Sequence, residues 1–174
     1  MKTTLIYIFL AVSLISFAAC DDNDKVSDDL IGEVDRVFIK SAADEGLLQI
    51  NAGQVASANA SFERLQDYGQ LMVDDFTKAN QELQKIAADK KVETSTTLSD
   101  ERQQQLDSLS MFTGAQFDTL YIDQMNVSHS RLIRLFETEA SAGKDIEVKS
   151  WAAERLPVIR AHAEQARALK DSLD

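Results

Sequence analysis

The chain holds a single cysteine, Cys20, so no disulfide can form within it. One proline and six glycines among 174 residues supply little of the punctuation that a sheet or a loop-rich fold needs. Ala, Leu, Gln, Glu and Lys abound instead, a composition that favours long helices around one core. Only two histidines occur, His129 and His162, which limits any imidazole chemistry. Cations are in deficit too: 18 Lys and Arg stand against 29 Asp and Glu, for a formal net charge of −11. Such a surface repels nucleic acid and anionic headgroups, so neither is expected as a direct partner. No Gly-rich phosphate loop, Cys-x-x-Cys pair or Ser/His/Asp set is visible. An activated nucleophile, and with it a hydrolase, finds no support.

Long hydrophobic runs are also absent, with one exception. Behind Lys2, residues Leu5 to Phe17 form an apolar run closed by Ala18-Ala19 before Cys20. That run is too short to span a bilayer as a mature helix, and residues 1–19 read as a signal peptide. A small pair directly before the sole cysteine looks like the lipobox of bacterial lipoproteins, in which the cysteine is acylated and becomes the new N-terminus. Phe17 departs from the leucine usual three residues before that cysteine, and ordinary cleavage after Ala18 is the alternative. Residues 20–29 are acidic and polar and form a tether that cannot order itself by burial. Acidic runs at this position resemble sorting signals of either membrane. The expected address is therefore the bacterial cell envelope, by lipid anchor, with outer membrane and periplasmic face left open.

Residues 30–174 read as one helical domain. A first helix, from about Leu30 to Ala56, carries Val34, Phe38, Ala42, Leu48, Ala52 and Val55 at spacings of three and four. Asn59 or Ser61 is expected to cap the second helix, where Phe62, Leu65, Gly69, Met72, Phe76, Ala79, Leu83 and Ile86 form an unbroken seam. After a polar loop, Ser99 caps a short helix from Asp100 to about Leu109. A long helix from Gly114 places Asp118, Ile122, Met125, His129, Leu132, Phe136 and Ala140 on one face. Gly143 suits its C-cap. The last helix, capped by Asp145, presents Val148, Ala152, Ile159, His162, Ala166 and Leu169, and Pro157 should kink it.

Short turns pair these four long helices into two hairpins. The connection between the hairpins is longer than neighbouring antiparallel helices need. Its loop and short helix reach about 48 Å, against about 43 Å for the second helix, enough to return the chain to the starting end. The expected fold is all-α: a ferritin-like four-helix bundle, two helical hairpins joined by a long crossover containing a short helix.

Met72-Val-Asp74-Asp75-Phe76-Thr-Lys78-Ala-Asn80, then Gly114…Phe117-Asp118…Tyr121-Ile122…Met125…His129, then Ala152…Leu156-Pro157…His162…Ala166 resemble the blocks of a bacterial envelope family, domain of unknown function 4142. Members are often labelled outer-membrane proteins and assigned a ferritin-like four-helix fold. The resemblance implies fold and compartment and carries no activity. Two departures bear on chemistry. Phe76 stands where the family usually has histidine, and Gln49 where it often has glutamate.

A di-iron carboxylate site wants Glu-x-x-His on two helices, but Asn126 and Ile159 precede the histidines by three. The remaining metal candidate is His129 and His162 with Asp118 or Asp75. No cofactor is expected, with a divalent transition metal as the alternative. The competing expectation is a satisfied polar core in which the histidines engage Asp118, Tyr121 or backbone groups. By simple counting from the Gly143 turn the histidines are offset by about 7 Å along the axis, which places them in the same or adjacent layers. The candidate polar or ligand site thus comprises Asp118, Tyr121, His129, His162, Asp75 and Gln49. The preferred function is a membrane-anchored, non-enzymatic module that binds a protein or small ligand. The alternative is a metal-binding sensor or redox bundle with a partly lost site.

Overall fold

Five helices and no strand make up the protein among the described residues, 31–173 of the computed structural model. They are α1 (Glu33–Asn59), α2 (Glu63–Asp89), α3 (Asp100–Ser110), α4 (Gly114–Ala142) and α5 (Ile146–Lys170). The expected signal peptide, Cys20 and the expected tether lie outside the described residues.

α1 packs along α2, and α4 along α5. The first hairpin closes at a point of near backbone contact: a Cβ on Gly53 would stand 2.5 Å from the Gly69 carbonyl oxygen, and one on Gly69 would stand 2.7 Å from that of Gly53. Both glycines are therefore required for close helix approach, which offsets their poor helix propensity. α1 also touches α3, α4 and α5, and is the most widely shared element of the core. That explains its broad buried face, which includes Asp35, Glu45 and Gln49 as well as Phe38, Ile39 and Leu48. Val34, expected inside, is exposed.

Polar contacts locate the two ends. At one, the Asp35 carboxylate accepts from the Lys144 and Asp145 amides at 2.8 and 3.0 Å, and Lys90 pairs with Asp145 at 2.8 Å. The start of α1, the end of α2 and the α4–α5 turn meet there. At the other, Asn59 donates to the Phe112 carbonyl, and Asp118 reaches the α1–α2 turn. The connection of residues 90–113 therefore runs from one end to the other, and α2 and α4 point the same way. α3 lies on this path, held by Ser99, which caps it and binds the Asp44 carboxylate at 2.9 and 2.8 Å.

Three local expectations change. The α2 N-terminus begins at Phe62 without a side-chain cap of its own. Asp118 of α4 takes that role, accepting from the Ser61 and Phe62 amides at 2.9 and 3.1 Å and from the Ser61 hydroxyl at 2.5 Å. Gly143 is the C-cap of α4 as expected, but its φ of −56° lies outside the left-handed region, and it is small because a Cβ would strike the Glu139 carboxyl. Glu139, not Ala140, continues the buried stripe of α4. α5 spans Pro157, which is exposed.

Candidate functional site

In the middle of the bundle α2, α4 and α5 each contribute one ring to a single layer. Phe76 lies 6.2 Å from His129 and 5.9 Å from His162, and the two imidazoles are 5.9 Å apart with planes at 88°. The 7 Å offset expected from counting is thus absorbed. His129 is fully buried, and its Nδ1 lies 2.9 Å from the Met125 carbonyl of the preceding turn. A carbonyl only accepts, so Nδ1 carries the proton and Nε2 holds a lone pair. Burial drives its pKa down to about 4, opposed by the Met125 carbonyl and assisted by His162.

His162 is 5 % exposed and sets Nε2 2.8 Å from the Asp75 carboxylate of α2. Burial lowers its pKa although Asp75 pulls the other way. With Nε2–H donated to Asp75, Nδ1 is the lone-pair nitrogen. Neither His129 Nε2 nor His162 Nδ1 has a hydrogen-bond partner, although both are buried.

The other sequence candidates are dispersed. Asp118 sits at the α2 N-terminus as described, remote from either imidazole's hydrogen bonds. Tyr121 stacks on Phe117 at 5.6 Å and meets Tyr68 edge-on at 6.3 Å, with its buried hydroxyl unpartnered. Burial raises its pKa well above the usual phenol value. Tyr68 lies between this stack and His129, and donates to the His162 carbonyl. Gln49 donates to Ser128 at 2.6 Å and so belongs to a different cluster. Pairing Asp118 or Tyr121 with the histidines is therefore incorrect, because α4 turns Asp118 toward its own end of the bundle. Asp75 is the carboxylate that arrives.

That different cluster went unread in the sequence. Glu45, 2 % exposed, receives Arg102 of α3, Arg131 of α4 at 3.2 Å and Ser128 at 3.1 Å. A buried charge so surrounded is a structural clasp that docks the crossover on the bundle. A second unread pair is Asp35 and Glu139. Burial and the adjacent Asp35 raise the Glu139 pKa to about 8, so it holds its proton at neutral pH. Burial also works to raise that of Asp35, but the Asp145 amide, Glu139 and the Lys144 amide hold it below the ordinary value. One signal was present in the sequence: positions 35, 38, 42, 45, 49 and 52 step by three and four, so their acids share the apolar stripe.

Where α2 and α5 touch little, a cleft of about 260 Å³ opens. Phe76, Phe136, Trp151 and Ile159 form its apolar wall, and Asp75, Lys78, Arg155 and His162 its polar edge. Glu82 accepts from the Trp151 indole at 3.2 Å and from Arg155, fixing that end. Apolar walls with a few oriented polar groups are what small-molecule sites offer. Among the described residues no group of three or more His, Cys, Asp and Glu side chains converges as a metal site. None of their helices is long and apolar enough to cross a membrane.

Neither a curated protein nor a solved structure matches the chain. Residues 23–169 match the model of a domain of unknown function, DUF4142, and the chain belongs to that family.

Proposed function

We propose that the protein is a lipid-anchored module of the bacterial envelope whose helical domain binds a small amphipathic ligand in the α2–α5 cleft. The bundle is of the ferritin-like four-helix type, which the parallel course of α2 and α4 and the lengthwise crossover support. Ala18-Ala19-Cys20 and the acidic residues after it support acylation at Cys20 and attachment to a membrane, several acyl chains being needed for stable anchoring. A protein partner remains the other kind of ligand in this reading, and nucleic acid is disfavoured by the net charge of −11.

The cleft is the observation that carries the proposal. Most of its polar groups are paired, Asp75 with His162, and Trp151 and Arg155 with the neighbouring Glu82, while Lys78 also lines it. None is poised as a nucleophile, so the site orients a ligand without covalent chemistry. Trp151, the only tryptophan, lines the cleft and reports on occupancy. Anilinonaphthalene sulfonate, an apolar ring system with one anion, is the probe. It should accept energy transfer from Trp151, and Ala79→Phe, which fills the cleft, should abolish the signal. Transfer that persists in that variant, or none in the native chain, refutes the cleft as a site. Anchoring is tested separately by intact mass: a mature chain cut after Ala18 and free of lipid excludes it.

A further inference from the structure

We propose that His129 and His162 form a two-nitrogen site for one soft monovalent cation, copper(I) or its redox-inert counterpart silver(I). Binding goes beyond the cleft reading and does not require an organic ligand in the cleft.

The nitrogens are the first ground. Each imidazole has one nitrogen tied to an outer partner, Met125 carbonyl for His129 and Asp75 carboxylate for His162. Each has its second nitrogen deprotonated, buried and without a partner. Buried acceptors are ordinarily satisfied, so two orphans on adjacent rings demand an explanation. Metal-bound histidines show the same division of labour: the outer N–H donates to a carbonyl or carboxylate and fixes the tautomer, while the inner lone pair ligates.

The geometry is the second. Two imidazoles sharing one ion along a common axis, with metal–nitrogen bonds of about 2 Å, have ring centres about 6 Å apart. Their planes are free to twist about that axis. The observed centres are 5.9 Å apart in an edge-on contact with planes at 88°, a separation that admits the ion once the rings turn their lone pairs toward one another. The third side of the space is the Phe76 ring, within 6.2 Å of both, an aromatic surface that favours a cation and supplies no ligand.

Charge selects the ion. Zinc and other divalent ions want three or four donors, and no third His, Cys, Asp or Glu side chain joins the pair to make such a set among the described residues. A dication would also pay a far larger desolvation cost in this core than a monocation. Copper(I) and silver(I) are content with two nitrogens, and Asp75 offers one compensating negative charge through the His162 ring. Asp75 is a positioning residue with a side chain 41 % exposed, and His162 itself lines the cleft, so an ion has a path inward. No electron transfer or proton release is involved, because both nitrogens are already deprotonated.

The test uses the full chain carrying Cys20→Ser, so that no thiol competes, and silver(I) in the presence of excess free methionine. Proton–nitrogen correlation spectra of the imidazoles should show one equivalent of silver shifting His129 Nε2 and His162 Nδ1 together, with Nδ1 of His129 and Nε2 of His162 still protonated. Native side chains suffice for this readout, so it does not depend on a variant folding. His129→Leu and His162→Leu should each abolish retention, and Asp75→Asn should weaken it about tenfold while the helical circular dichroism is unchanged. Silver lost to methionine, shifts confined to methionine methyl groups, or only one imidazole responding would each overturn the proposal. Dye binding in the cleft is scored independently, so failure of either site leaves the other judged on its own measurement.

Discussion

Two glutamates are buried to nearly the same degree, Glu45 at 2 % and Glu139 at 1 % exposure, and the core neutralises them in opposite ways. Glu45 is met by two guanidinium groups, Arg102 and Arg131, which reach it from two other helices. Glu139 loses its charge by keeping a proton beside Asp35, at the end of the bundle. The arginines themselves stay charged throughout the accessible pH range. Compensation by a proton fails once the proton leaves. The histidine layer also stays neutral while buried, but by shedding a proton instead of keeping one. A cluster of opposite charges holds the structure together, whereas a neutral one stays open to pH and to ligands.

The sharpest break in this contrast is Arg102→Met. It leaves Glu45 buried with half its compensation, and denaturant unfolding should show a loss of about 3 kcal/mol at neutral pH. Adding Glu45→Met should recover much of it, since an apolar pair of similar volume replaces the charges; failure to recover would show that Glu45 was not the group stranded.

Glu139→Gln should have the next largest effect, in the stabilising direction. In the folded chain Glu139 retains its proton up to about pH 8, and its ordinary value is 4.5. Between those values the unfolded chain binds fewer protons, so stability falls as pH rises through the window and levels off above it. Glutamine keeps a donor for Asp35 and removes the penalty. The gain should be on the order of 2 kcal/mol above pH 8 and vanish below pH 4.5. Equal gains at both pH values would contradict a protonated Glu139.

His129 titrates with the opposite sign. Its pKa drops from 6.5 to about 4 on folding, so the unfolded chain takes up the proton first and stability is lost as pH falls from 6.5 towards 4. His129→Leu should flatten that acid limb by about 1–2 kcal/mol. An unchanged limb would assign acid sensitivity elsewhere. Smallest of all is the effect of zinc on the native chain, which should scarcely move the melting temperature. Phe76→His adds a third nitrogen beside the other two, and zinc at a hundredfold over its dissociation constant should then stabilise by about 2.7 kcal/mol.

These residues also show what a sequence discloses. The α5 stripe from Val148 to Leu169 is buried at each position read from spacing alone, because apolar side chains and one histidine repeat without interruption. α1 was harder. Its inner face mixes Asp35, Glu45 and Gln49 with hydrophobes, and periodicity cannot distinguish a buried acid from an exposed one. The partners that make burial tolerable, Arg102, Arg131 and the Lys144 and Asp145 amides, lie 57 to 110 residues away. Asp118 misled for the same reason. Beside His129 on one face it suggested a shared site, but its partners are amides at the turn between two other helices. Phe76, a seam residue in the sequence, does lie beside both histidines, since helical register alone sets its depth.

The lengthwise crossover has a consequence for how the molecule is made. Each hairpin joins helices a few residues apart, so α1–α2 and α4–α5 can zip with little loop entropy to overcome. Docking one hairpin on the other must wait until residues 90–113 have traversed the bundle and Arg102 has found Glu45. On this hypothesis the clasp forms after the rate-limiting barrier and acts as a latch. Folding kinetics across a denaturant series should then show Arg102→Met accelerating unfolding while leaving the refolding rate nearly untouched, whereas Gly53→Ala, which pries the first hairpin apart, should slow refolding. The reverse assignment would place the strap in the nucleus. A chain built this way would resist opening through a fastener applied last, and the durability of the assembled bundle would be decided by eleven residues of α3 that contribute little to its interior.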